Sequence, residues 1–154
     1  MHSTVITVCF FDQEEYGYSS EDIFDMLPKG ADYVDEISFS KEETEDVARE
    51  VFGSAVRFER GVLFPAKDAI EEQFKKWYEN IKALAADYSF DDYKKDGYET
   101  WCLKNAIEPT FGLKFLVTDY GLLNPNEFYS ILLRRIESKE ESRFTITQLF
   151  DYHF

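Results

Sequence analysis

Cysteine and histidine are nearly missing from this chain, with two of each in 154 residues. Cys9 and Cys102 lie far apart with no CxxC spacing, which gives no support to a zinc site or a disulfide framework; two buried, reduced thiols are expected. His2 and His153 stand at the two ends of the chain, where fraying is usual. They meet only if the first and last strands are neighbours, so no Ser or Cys nucleophile has a good base partner. No apolar run approaches the roughly 20 residues of a membrane span. Met1-His2-Ser3 opens with neither a basic nor an apolar leader, so a cytoplasmic protein is expected. Seven Gly and four Pro are scattered as turn punctuation, without a linker or low-complexity tract. One domain over residues 1–154 follows.

Catalytic signatures are lacking too. GxSxG, P-loop, GxGxxG, HExxH and EF-hand patterns do not occur. The adjacent acids Asp35-Glu36 and Asp91-Asp92 have no spaced third ligand for a metal. No catalytic residue, metal or cofactor is expected, and an enzyme with carboxylate or metal chemistry is the distant alternative.

The last scarcity is of positive charge, and it is local. Between Asp12 and Glu50 there are fourteen Asp/Glu against Lys29, Lys41 and Arg49, a net of −11 out of −14 for the whole chain. A disordered acidic tail would be poor in aromatics. Fifteen Phe and ten Tyr place this acid on a folded protein instead. A one-sided negative field repels nucleic acid and membrane surfaces and attracts basic ones.

Hydrophobic periodicity supplies the elements. Thr4–Phe11 is apolar or β-branched at both parities and reads as a central strand covered on both faces. A short helix is predicted over Ser20–Leu27, and a strand over Tyr33–Phe39. Ser40 with Glu43 forms a capping box for a helix whose stripe is Val47, Ala48, Val51 and Phe52, stopped by Gly53. A strand over Val56–Phe64 is expected to bend at Gly61. Pro65 suits the start of a long helix, Ala66–Tyr88, with Ile70, Phe74, Trp77, Tyr78, Ile81 and Leu84 on one face; Trp77 is expected in the core. Ser89 and Asp92 form a second capping box, and a helix through Tyr98 and Trp101 is interrupted or starts late at Gly97. Leu113–Thr118 is a strand. Asn124, Pro125 and Glu127 open a helix carrying Phe128, Ile131, Leu132 and Ile136, although the same residues are compatible with a hairpin. Phe144, Ile146, Phe150, Tyr152 and Phe154 share one parity in a final strand tied into the sheet. The fold class is α+β, a mixed or antiparallel sheet of about five strands packed with about five helices.

The candidate surface is acidic and bears tyrosines. Asp12, Glu14, Glu15, Tyr16, Tyr18, Glu21, Asp22, Asp35, Glu36, Glu42, Glu43, Glu45 and Asp46 are expected to meet a partner. Asp25, Asp32 and Glu50 extend the same charge. Asp91, Asp92 and Tyr93 add a second patch in which carboxylates can take the edge of an Arg and rings its face. Like charges at i,i+4 cost stability, so an unbalanced helix face calls for a reason beyond solubility. The pattern points to a non-enzymatic binding protein whose expected partner is basic, such as a nuclease or nucleic-acid-binding complex. It would be inhibited by competition, in the manner of DNA-mimicking phage anti-restriction or anti-CRISPR proteins. A toxin-neutralising immunity protein shares the composition, and so does an adaptor whose charge only keeps it soluble.

Overall fold

A computed structural model describes residues 1–154. The chain runs β1 (His2–Phe10), α1 (Ser20–Met26), β2 (Tyr33–Ile37), α2 (Lys41–Phe52), β3 (Val56–Glu59), β4 (Val62–Pro65), α3 (Lys67–Asp87), α4 (Phe90–Lys95), α5 (Tyr98–Ile107), β5 (Lys114–Val117), β6 (Gly121–Leu123), α6 (Pro125–Glu137) and β7 (Phe144–His153). The α+β class stands, with six helices and seven strands. Two extra strands have simple causes. The Val56–Phe64 segment is a hairpin, not a bent strand: Arg60 and Gly61 both take positive φ (52° and 83°), the twist a two-residue turn needs. The short β6 returns beside β5 with too few residues to show a period. The extra helix arises because Asp96 is left-handed and Gly97 caps a new helix, dividing α4 from α5. Pro65 closes β4 rather than opening α3, which has no side-chain cap at its start.

The sheet order is β3-β4-β7-β1-β5-β6. Only β1 and β5 are parallel. β7 keeps β1 along one edge for its whole length. Along the other edge it takes β4 at Phe144 and then β2 from Leu149 to His153. β2 is therefore an edge strand, and its charged Asp35 and Glu36 protect it from further pairing.

Both faces of the sheet are covered. Ile6, Val8, Phe10, Phe115 and Val117 join α2, α3 and α6 in the larger core. Val5, Leu116, Phe150 and Tyr152 join Ile23 and Leu27 of the α1 segment in the smaller one. Phe128 anchors the large core, stacked on Phe115 at 4.5 Å and edge-on to Phe144 at 5.4 Å. Full burial of each such ring contributes about 2–3 kcal/mol over exposure. The single parity expected for β7 is overturned. Phe144, Ile146 and Leu149 face the large core, whereas Phe150 and Tyr152 face the small one. The cause is a β-bulge: Thr7 pairs with Gln148 and Val8 with Ile146, so Thr147 is extra and shifts the alternation by one.

Trp77 packs against the large core. The second half of α3 extends past it, and α5 lies along that extension. Cys9 and Cys102 are unpaired, as expected, but half-buried rather than buried.

Candidate functional site

The acidic segment wraps around the free edge of β2. Its α1 part lies on the small-core face and its α2 part on the large-core face, because Ile23 points into one core and Ala48 and Phe52 into the other. One flat acidic surface is thus excluded, and the charge divides into two faces joined by the β2 edge. Of the fourteen acids, thirteen are exposed; Glu45 alone is half-buried.

Their local roles differ. Asp12 accepts from the Arg135 Nη1 at 2.9 and 3.1 Å, and the Arg135 side chain is only 7% exposed. Burial works against that guanidinium's charge, but the Tyr120 hydroxyl and the Asp12 carboxylate hold its pKa above the ordinary value. Asp12 is a structural counter-ion. Asp22 and Glu43 close the capping boxes of α1 and α2, and Asp92 that of α4. The Ser19 backbone N–H and hydroxyl lower the Asp22 pKa, and those of Ser89 do the same for Asp92. Glu45 pairs with Arg49 at 2.5 Å, Asp91 with Lys94 at 2.9 Å, and Glu36 accepts from Gln148 at 2.9 Å. Tyr18 is half-buried, its backbone N–H held by Gln148 at 2.8 Å, whereas Tyr16 is exposed with its ring 4.6 Å from that of Tyr18.

Glu14, Glu15, Glu21, Asp25, Asp35, Glu42, Asp46 and Glu50 make no ion pair and are exposed. Three of these, Glu42, Asp46 and Glu50, recur every four residues on α2. At 1.5 Å rise per residue they form a row with steps of about 6 Å. Arg49, between Asp46 and Glu50 in the sequence, is engaged by Glu45.

The termini hold a cluster that their position in the sequence concealed. His2 pairs with His153 across β1 and β7, and His153 with Tyr33 across β7 and β2. His2 Nδ1 lies 2.9 Å from an Asp151 oxygen, His153 Nδ1 lies 2.8 Å from Asp32, and the Tyr33 ring stacks on His153. Burial and the carboxylates of Asp151, Asp35 and Asp32 push the Tyr33 phenol up. Asp35 faces Asp151 in the next row without a partner. The strand pairing thus places two imidazoles inside the acidic region. No three His, Cys, Asp or Glu side chains gather closely enough to hold a metal ion.

Asp91 and Tyr93 sit on a second exposed face built by α4 and α5. Phe90, Tyr93, Tyr98 and Trp101 are 58–73% exposed there. Tyr98 and Trp101 stack at 6.1 Å, and Lys94 lies over Phe90 at 5.1 Å. Tyr88, Thr100 and the Asp92 carbonyl are joined by hydrogen bonds of 2.6 and 3.1 Å, which fix this face to the end of α3.

No protein family, no curated protein and no solved structure matches the chain.

Proposed function

We propose that this is a non-enzymatic binding protein that engages a basic, nucleic-acid-binding partner through the acidic faces around β2. The observation that carries the reading is the row Glu42–Asp46–Glu50, exposed, unpaired and regularly spaced on a rigid capped helix. Its steps of about 6 Å suit the cationic side chains that a nucleic-acid groove spaces for successive phosphates. The mechanism is competition: carboxylates occupy the places of phosphates and Tyr16 lies against a ring or guanidinium of the partner. Inhibition of a nuclease or defence complex is the most concrete form of this activity. The α4–α5 face, with its exposed rings around Asp91 and Tyr93, suits an Arg-bearing region of the same partner.

The structure also chooses the test. Reversing Glu43 or Glu45 would remove a cap or an ion pair and confuse folding with binding. The triple variant Glu42→Lys, Asp46→Lys, Glu50→Lys touches only unpaired side chains. It should stay folded and lose partner binding. The variant Glu21→Lys, Asp25→Lys reverses charge on the opposite face and tests the α1 part separately. Undiminished binding by the folded triple variant would refute a role for α2.

A further inference from the structure

The lobe formed by α4 and α5 has almost no interior of its own. Thr100 is the one buried residue of the two helices. Their rings point outward instead: Phe90 and Tyr98 are 73% exposed, Tyr93 68% and Trp101 58%. The Tyr88 and Thr100 hydroxyls, 2.6 Å apart, tie the lobe to the end of α3. Ordering a segment costs conformational entropy, which buried apolar surface normally offsets. Here that surface faces solvent, and a patch of this kind marks a place of association.

Area and charge select the occupant. With about 200 Å² for a whole aromatic side chain, the four rings expose roughly 500 Å². A standard interface buries about 800 Å² per partner, and between identical chains about 65% of it is apolar, which again is roughly 500 Å². Residues 90–107 carry four acids and three bases, a net of −1, against −11 for the acidic segment. Charge draws a strongly basic partner to the acidic segment, whereas two copies of a −14 chain meet with little repulsion at α4 and α5. The order of signs is also self-complementary. Asp91 lies in the first turn of α4 and Lys95 in its last, and Lys95 makes no ion pair within the chain. A two-fold axis sets α4 antiparallel to its twin and brings Asp91 of each copy towards Lys95 of the other.

We propose that the chain forms a homodimer whose two-fold interface is the α4–α5 face. Phe90, Tyr93, Tyr98 and Trp101 form its centre, and Asp91 and Lys95 its rim. Tyr98 and Trp101 already stack at 6.1 Å, so they lose little freedom on burial. A single Arg from another protein covers one ring face, whereas a second copy covers all four rings. Glu42, Asp46 and Glu50 belong to α2, outside this interface, so the dimer stands or falls separately from the binding reading.

The test is sedimentation equilibrium of the full chain. At about 100 µM the wild type should show twice the 18.1 kDa of one chain. The double variant Phe90→Glu, Trp101→Glu alters only exposed side chains, so its circular dichroism and thermal midpoint should match the wild type. Its dimer dissociation constant should rise at least about tenfold. Asp91→Lys should also weaken the dimer, and the exchange Asp91→Lys, Lys95→Asp should restore it, because opposite charges then face each other again. A wild type that stays monomeric would overturn the proposal, and capture of a different protein through the same rings would then assign the face to that protein. A dimer that persists undiminished in the folded Phe90→Glu, Trp101→Glu variant, or that the charge exchange fails to restore, would overturn this interface equally.

Discussion

His2 and His153 face each other across β1 and β7 with ring centroids 5.2 Å apart. The Met1 amino group donates to the Phe154 carbonyl at 2.8 Å, so the ends of the chain close the sheet rather than fray. Cross-strand pairs on an exposed face contribute about 0.2–1 kcal/mol each. His2→Ala and His153→Ala should each lower stability by about 0.5 kcal/mol and should couple in a double-mutant cycle. Urea denaturation of the four proteins checks this; strict additivity would mean that the imidazoles merely happen to be adjacent.

Arg135 offers a sharper stability test. It holds Asp12 and the Glu141 carbonyl, and its guanidinium lies 4.0 Å from the Phe10 ring centroid. Arg135→Ala removes packing and leaves Asp12 unmatched, and should cost about 3 kcal/mol. Arg135→Met restores apolar volume over Phe10 and should recover much of that loss, since Asp12 is half exposed and can turn to water. Equal losses in the two variants would show that the ion pair, not the packing, dominates.

Glu141 gives the pH dependence its sign. Hydrogen bonds from Arg143 hold its carboxyl down at about 2. The unfolded chain protonates an ordinary Glu near 4.3. The stabilisation is therefore complete above that value and is lost as pH falls towards 2. Wild type should exceed Glu141→Gln in thermal stability at pH 6, and the gap should close between about pH 4.5 and 2. A gap that does not change over this range would contradict the assignment.

Much of the fold was legible in the sequence because its signals are local. Ser40 with Glu43, Ser89 with Asp92 and Asn124 with Glu127 announced helix starts; the two serine boxes are formed, and the Glu127 carboxylate accepts from the Asn124 backbone N–H at 2.7 Å. The β7 bulge was not legible, since Thr147 differs from its neighbours only through the register with Thr7 and Val8. The acidic segment was plain as composition, yet its division between two faces depends on β2 pairing with β7 across more than a hundred residues. Lys114 alternates with apolar Leu113 and Phe115, yet long-range packing buries it.

The acidic row should also be a burden on stability. Asp46 stands at i,i+4 from Glu42 and from Glu50, and like-charge pairs at that spacing cost about 0.2–0.5 kcal/mol each. Asp46→Lys should stabilise the protein by about 0.5–1 kcal/mol at low salt, less at high salt, as read from denaturant midpoints. An unchanged or lowered midpoint would show that Asp46 has a structural role. A stabilising change that removes binding is the pattern expected where function, not folding, keeps the charge.

The most direct measurement is capture of a partner from lysate on immobilised wild-type chain, with mass-spectrometric identification, in the presence and absence of excess duplex DNA. A basic nucleic-acid-binding protein should be retained by wild type, displaced by the DNA and by raised salt, and lost from Glu42→Lys, Asp46→Lys, Glu50→Lys. A captured protein that stays bound in excess DNA, or that binds the triple variant equally well, would contradict competition for a nucleic-acid groove.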